Sequence, residues 1–223
     1  MAKDTPYSAS HFISEAKVDP KRWNRIPDDG MVNQTVDAVR KRSMNAIIAK
    51  NAGEALNILT TLIPKGSSVM SGSSTTLVEI GFEDYVAEGN SGWKSLREAI
   101  VLESDEARRG ELRRRSVTAD YFLSSANAVA MTGEIVACDA SGSRVGAWPF
   151  AAGRLVLVIG INKIVPTLQD ALDRIRQYAY PLEDARARRA YGTPSMIGKC
   201  VILAGERNPE RTTIIFVREA LGY

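Results

Sequence analysis

The stretch Leu155-Val156-Leu157-Val158-Ile159-Gly160 places five Leu, Val and Ile residues in succession, without a polar side chain. Such a run is typical of a strand buried on both faces of a parallel sheet, because a solvent-facing strand would alternate apolar with polar residues. Another buried-strand pattern covers Thr212 to Arg218, and a helical pattern covers Thr167 to Tyr180. Strands that alternate with helices predict an α/β fold with a mostly parallel sheet flanked by helices.

The region before this core is predicted to be largely helical. Asn33 is placed to cap a helix that begins near Gln34. Apolar residues continue at helical spacing as far as Ile63, with a break near Asn51 to Gly53 that divides the pattern into two helices. A short strand at 67–71 then leads into a helix at 75–81.

A hairpin insertion and an N-terminal extension complete the predicted organisation. Gly133 to Asp139 is predicted as a hairpin strand, and Ser141-Gly142-Ser143 as its turn. Residues 1–32 contain three prolines and little periodicity, so we expect an extension that drapes over the domain or over an oligomer partner. Residues 33–223 are predicted to form a single domain.

Composition excludes several classes of function. A net charge of +3 is too small to indicate nucleic-acid binding, and the arginine-rich stretches are mixed with acidic residues, as on solvated helix faces. No apolar run is long enough to cross a bilayer, and residues 1–30 lack a signal-peptide core, so a cytoplasmic protein without membrane contact is expected. The single histidine, His11, lies in the polar N-terminal segment. Acid–base chemistry is therefore expected from Asp, Glu, Lys or Tyr.

The two cysteines, Cys138 and Cys200, cannot form a metal site by themselves, so no metal is predicted. Two cysteines fit a reducing compartment, and the sequence leaves open whether they form a disulfide.

The stretch Ser71-Gly72-Ser73-Ser74-Thr75-Thr76 lies at a predicted strand-to-helix junction. Ligands of α/β sheets bind beyond the carboxyl ends of strands. Glycine lets the backbone approach a ligand closely, and a helix N-terminus offers N–H groups and partial positive charge to a phosphate or carboxylate. The pattern fits either an anion-binding loop or a helix capped by Ser or Thr. It is not a P-loop, because no Gly-Lys-Ser/Thr follows.

Five further residues are candidates for the same crevice. Asn162 and Lys163 follow the buried strand directly, and a lysine there can pair with an anion, act as a base or amine nucleophile, or simply be a surface residue. Asn127 follows another strand, where it can bind a ligand or stabilise a turn. Glu79 and Asp139 are candidate catalytic carboxylates, although Glu79 equally fits a helix surface.

Several motifs in a fixed order resemble one known family. They are Gly72-x-Ser74-x-Thr76-Leu77-x-Glu79-Ile80-Gly81, Ala119-Asp120-Tyr121-Phe122-Leu123-Ser124, Asn127-Ala128, Gly133-Glu134, Asp139, Arg144-Val145 and Gly160-Ile161-Asn162-Lys163-Ile164-Val165. Together they resemble the lactate-utilisation domain (LUD) family, including its lactate utilisation protein C group, over about residues 33–223.

The resemblance implies a fold like that of ribose-5-phosphate isomerase, glucosamine-6-phosphate deaminase and the CoA transferases, a Rossmann-like three-layer architecture. In those proteins a Gly/Ser/Thr loop holds an anion. The resemblance therefore implies an anion-binding role for Ser71 to Thr76, and it places Asn127, Asp139 and Lys163 near one crevice.

The resemblance also implies a role in the oxidation of L-lactate to pyruvate. Many family members carry a cysteine-rich stretch near the C-terminus, but Gly192-Thr193-Pro194-Ser195 and Gly198-Lys199-Cys200 retain one cysteine here. An iron–sulfur cluster needs several cysteine ligands, so neither a cluster nor another cofactor is expected in this chain. We expect a non-redox accessory subunit that works with iron–sulfur partner proteins. The alternative is a stand-alone enzyme or binding protein for a small phosphorylated or carboxylated metabolite. With either function, the chain could form a homo-oligomer.

Overall fold

The computed structural model describes residues 2–223 and is built on two β-sheets. A six-stranded sheet, parallel throughout, has the strand order first, tenth, seventh, fourth, second, third. A smaller mixed sheet has the order eighth, fifth, sixth, ninth. The strands are β1 (Asn45–Ala49), β2 (Ser68–Ser71), β3 (Lys94–Ser95), β4 (Tyr121–Ser124), β5 (Ala128–Ala130), β6 (Ile135–Asp139), β7 (Arg154–Gly160), β8 (Ile164–Val165), β9 (Lys199–Leu203) and β10 (Thr212–Val217).

Helices cover both sides of this framework, and they begin where short polar side chains can cap them. Thr167 and Asp170 form a reciprocal capping box at one start, and Asn51 caps another. The helices are α1 (Ile13–Ala16), α2 (Pro20–Trp23), α3 (Asp29–Lys41), α4 (Ala52–Leu62), α5 (Thr75–Glu79), α6 (Phe82–Ala87), α7 (Leu96–Leu102), α8 (Glu106–Arg115), α9 (Leu168–Arg174) and α10 (Tyr180–Tyr191).

Strand β7 is buried on both faces, as its uninterrupted apolar sequence predicts. Leu155, Leu157 and Ile159 face one apolar cluster, whereas Val156 and Val158 face another. Burial of each such side chain contributes roughly 1.5–3 kcal/mol, so this strand anchors the core. The predicted α/β fold with a mostly parallel sheet is confirmed.

Three apolar clusters join the layers. One packs α4 and α5 on a face of the parallel sheet, and a second packs α3 and the small sheet on the opposite face. The third lies between the small sheet and the outer helices α9 and α10. The small sheet thus adds a layer to the α/β sandwich and forms one wall of the region beyond the parallel strands.

The predicted helical region before Ile63 needs correction. Ile47 and Ile48 belong to β1, an edge strand of the parallel sheet that separates α3 from α4. Helix α3 begins at Asp29 rather than near Gln34, because the Asp28 carboxylate accepts a hydrogen bond from the Met31 N–H (2.9 Å). Asn33 is therefore inside the helix and does not cap it.

The predicted hairpin turn also needs correction. Strand β6 pairs antiparallel with β5, so the hairpin turn lies at 131–134, and Ser141-Gly142-Ser143 closes no hairpin. The second neighbour of β6 is β9, which comes much later in the chain. The helix predicted at 167–180 is longer in the structure. It continues through a π-helical turn into α10, where Pro181 occupies the first turn and needs no N–H partner.

The N-terminal segment packs on its own chain. Phe12 and Trp23 are buried in the third apolar cluster, and α1 lies against α10. Between residues 2 and 223, no helix combines the length and the apolar character that a membrane crossing requires.

Candidate functional site

A cavity of about 910 Å³ opens at the carboxyl ends of β2 and β4. This is the edge of the parallel sheet at which α/β proteins bind ligands, because the loops there diverge toward opposite faces. The floor contains Ser71 to Thr76, Ser125 to Asn127 and Lys163, while Asp139 and Arg144 come from the end of the small sheet. Residues of α8 and α10 form the rim.

Residues Ser71 to Thr76 are both a capped helix start and a cavity wall. The Ser74 hydroxyl accepts a hydrogen bond from the Leu77 N–H (3.3 Å) and caps α5. A Cβ atom at Gly72 would lie 2.9 Å from the side-chain carbons of Arg144. Glycine is therefore what lets the arginine side chain cross this loop.

Lys163 lies on the floor of the cavity and is 1% exposed. Its Nζ donates to Thr76 Oγ1 (3.0 Å), Ser125 Oγ (3.0 Å) and the Ala126 carbonyl (3.1 Å). Burial, together with the positive charge of nearby Arg174, holds the Lys163 pKa well below its ordinary value. Because the ammonium uses the hydroxyl oxygen of Thr76 as an acceptor, the Thr76 hydroxyl hydrogen can donate to an anion in the cavity, whereas the Ser125 hydroxyl would have to turn away from the Ala126 carbonyl (3.5 Å) to do so.

Arg144 places a second cation beside Lys163. Its guanidinium donates to the carbonyl oxygens of Ser125 (2.7 Å) and Cys138 (2.6 Å), and burial lowers its pKa. Asp139 accepts backbone N–H bonds from Gly142, Arg144 and Val145, so its carboxylate holds the turn that presents the arginine. Between residues 2 and 223, neither Lys163 nor Arg144 forms a hydrogen-bonded ion pair with a carboxylate.

Glu79 lies behind this floor and does not line the cavity. Its carboxylate accepts bonds from the Ser8 hydroxyl (2.8 Å) and the Gly222 N–H (2.6 Å). Burial raises the Glu79 pKa, and these bonds and the charge of Lys163 offset only part of that effect. Glu79 therefore balances the positive charge from beneath the floor, out of reach of a ligand.

Asn162 is also directed away from the cavity. Its side chain donates to Asn24 Oδ1 (2.6 Å) and accepts from the Leu221 N–H (3.1 Å). Asn162 therefore binds the N-terminal and C-terminal segments to the domain. Asn127 does line the cavity, where its Oδ1 accepts the Cys138 N–H (2.9 Å).

The structure thus gathers Ser71 to Thr76, Asn127, Asp139 and Lys163 around one cavity, and it excludes Glu79 and Asn162 from its lining. Sequence reasoning singled out the stretch Ser124 to Val129, which contains Ser125, but it assigned neither Ser125 nor Arg144 to the candidate site. Neither residue follows a recognisable binding pattern, since a turn after β6 brings Arg144 to the cavity and the fold brings Ser125 to Lys163. The segment Ser124-Ser125-Ala126 was the one available signal, since its small residues follow a strand.

The cavity has a positive charge balance. Among the described residues that line it, seven are basic and three are acidic. Two acidic residues already have arginine partners: Glu183 binds Arg186 (2.7 Å) and Glu83 approaches Arg97 (3.5 Å). The arrangement is suited to a small anion, which would receive hydroxyl donors at the floor and meet positive charge around them.

A family model described as the LUD domain matches residues 32–217. The chain belongs to the LUD-domain family. Among solved structures it resembles a DUF162 family protein from Deinococcus radiodurans, determined at 1.70 Å, with 14% identity and a TM-score of 0.52 over 86% of this chain and 99% of that one. At that identity the likeness shows the fold alone. A search of curated proteins finds no match.

The matched LUD domain runs from α3 to β10 and contains the cavity floor. Ser8 and Gly222, the two partners of Glu79, lie outside the matched range. No group of three or more His, Cys, Asp or Glu side chains is positioned to hold a metal ion in the described part of the chain.

Proposed function

We propose that this LUD-domain protein binds a small metabolite bearing a carboxylate or phosphate in front of Lys163, and that it serves L-lactate utilisation as a non-redox accessory component. The observation that carries the proposal is the pair Lys163 and Arg144. Both are cations at the cavity floor, and each donates to neutral oxygens.

Electrostatics gives the reason. A buried cation that has no hydrogen-bonded carboxylate partner is costly, and an anion beside it recovers part of that cost. Thr76 and Ser125 line the cavity together with Lys163 and accept its hydrogen bonds, so their hydroxyls can donate to the anion while the lysine supplies positive charge. Hydrogen bonds to charged groups contribute roughly 1.5–3 kcal/mol each.

The family name supports the lactate role, and the redox step would belong to iron–sulfur partner proteins. A cavity of about 910 Å³ has room for a molecule much larger than lactate. Larger phosphorylated or carboxylated metabolites are therefore tested as ligands beside lactate.

A thermal-shift screen tests the binding proposal. L-lactate, pyruvate, inorganic phosphate, sugar phosphates and CoA esters would be compared on the natural protein and on Thr76→Val, which keeps the shape but removes the hydroxyl. Thr61→Val, on the exposed side of α4, is the matched control. We expect at least one anion to stabilise the natural and control proteins and to lose about tenfold or more in affinity with Thr76→Val. Equal affinity in all three proteins would refute the role of the floor.

A second candidate function is catalysis by Lys163 on the bound anion. Because burial lowers its pKa, the Lys163 ammonium gives up its proton more easily than an exposed lysine, and the resulting amine can act as a base or attack a carbonyl. Borohydride treatment in the presence of pyruvate would trap an imine at Lys163, detected by peptide mass mapping. If pyruvate binds but no adduct forms, Lys163 has a binding role and no catalytic one.

A further inference from the structure

The two cysteines of the chain, far apart in sequence, lie directly opposite each other in the small sheet. Cys138 in β6 is the register partner of Cys200 in β9, on antiparallel strands. Opposed residues of an antiparallel pair project their side chains to the same face. The two thiols therefore lie close to each other on one face, and both are free.

The backbone shows which kind of cross-strand pair they form. The Cys138 N–H donates to Asn127 Oδ1 (2.9 Å), and its carbonyl accepts from Arg144 Nη2 (2.6 Å). These groups therefore are not engaged with β9, and the Cys138–Cys200 pair is of the non-hydrogen-bonded kind. In such pairs the Cα atoms are about 4.5 Å apart, inside the range that a disulfide accepts.

We propose that Cys138 and Cys200 are a redox-sensitive pair that closes to an intramolecular disulfide across β6 and β9. Cys200 is exposed, whereas Cys138 is partly buried in the cavity wall. The exposed thiol is thus the first to meet an oxidant, here a low-molecular-weight disulfide such as oxidised glutathione. Burial raises the Cys138 pKa to about 12, which makes that thiol a poor first nucleophile.

The exchange balances in two steps. The Cys200 thiolate attacks oxidised glutathione, forms a mixed disulfide and releases one glutathione thiolate. Cys138 then gives up its proton, attacks the Cys200 sulfur and releases the second glutathione. The protein loses two protons and two electrons, and one oxidised glutathione becomes two reduced molecules.

The disulfide would stabilise β9, which is an edge strand of the small sheet. Among the described strands β9 pairs with β6 alone, and its first residues pack on the turn after Asp139, where the Gly198 N–H donates to the Asp139 carbonyl (3.1 Å). That turn presents Arg144. The disulfide would therefore fix one wall of the cavity, and it would also restrict the unfolded chain between the two cysteines.

Titration of the full-length protein with mixtures of oxidised and reduced glutathione tests the proposal without reference to any anion. Peptide mapping should find a Cys138–Cys200 disulfide, and Tm should rise by roughly 5–10 °C on oxidation and return on reduction. Cys138→Ala should stop at a stable glutathione adduct on Cys200, and Cys200→Ser should leave Cys138 unmodified.

Three results would overturn the proposal. They are a natural protein that stops at the Cys200 mixed disulfide, one that links two copies through Cys200, and one that keeps both thiols free across the whole range of glutathione ratios. If Cys138→Ala does not fold, the natural protein and Cys200→Ser still distinguish these results, because the closed disulfide is identified by mass in the natural chain.

Discussion

At the scale of single residues, the binding proposal is tested most directly at Lys163. Replacement by methionine keeps most of the buried hydrocarbon and removes the charge, so we expect a folded protein with 10- to 100-fold weaker anion binding, as a charged hydrogen-bond partner is worth roughly 1.5–3 kcal/mol. Calorimetric titration of the best thermal-shift ligand measures this. Lys50→Met removes an exposed lysine outside the cavity and should leave affinity unchanged. Equal losses in both variants would mean that only net charge matters.

Glu79 gives the stability of the protein a pH dependence of known sign. Burial raises its pKa, so the native state binds this proton more tightly than the unfolded chain. Its stabilising effect is complete below the ordinary carboxyl pKa of 4.5 and is lost as the pH rises through the folded value. Lys163, Asp4, Ser8 and the Gly222 N–H face the carboxylate.

Glu79→Gln should therefore gain stability relative to the natural protein as the pH rises above 4.5, since the amide cannot ionise. Urea unfolding between pH 4 and pH 8 measures the difference in the free energy of unfolding. Parallel pH profiles for the two proteins would show that the carboxylate does not titrate in this window.

Sequence alone predicted part of the candidate site for a clear reason. Thr76 and Lys163 follow strands of a parallel sheet, and the carboxyl ends of those strands share one edge. The orientation of Glu79 could not be predicted, because Ser8 and Gly222, from opposite ends of the chain, fix it. Arg144 was missed for the same reason, as only the tertiary fold brings it over Gly72.

At the scale of elements, the length and burial of each strand decided whether it could be predicted from the sequence. β7 was recognisable because an uninterrupted apolar run has one explanation in this fold. β1 was missed because its apolar residues are few and also fit the helical spacing of α3 and α4 on either side. An edge strand of five residues carries too little periodicity to be distinguished from a helix.

The β5–β6 hairpin depends on glycine at 133. Gly133 has φ +97°, and a Cβ atom there would lie 2.8 Å from the Ala38 backbone of α3. Gly133→Ala should therefore combine left-handed strain with overpacking and destabilise the protein by about 3 kcal/mol. Gly89→Ala shares the positive φ (+73°) but has open space around it, so it should cost only about 1 kcal/mol. Urea unfolding of both variants isolates the packing contribution, and equal losses would contradict the close contact with α3.

At the scale of the whole molecule, the tightly packed core and the rim of the candidate cavity lie in different places. The parallel sheet is packed on both faces, and its central strands β7 and β10 are almost completely buried. The rim of the cavity is assembled from lightly packed parts, and α7 and α8 bury no residue at all. Arg109 and Arg113 of α8 line this rim. The fold thus keeps the lysine floor rigid and leaves one side of the cavity free to adjust.

Hydrogen exchange followed by mass spectrometry should reveal this division. Local opening costs little where few apolar contacts are broken, so peptides from α8 should exchange far faster than peptides from β7, which open only with global unfolding. An anion that reaches Arg109 and Arg113 should slow exchange in α8 and leave β7 unchanged. Lys163→Met should reduce this protection because the ligand is then held less firmly at the floor. If α8 exchanges as slowly as β7 without ligand, the rim is rigid, and ligand entry must depend on another part of the cavity wall, such as the N-terminal segment over Glu79.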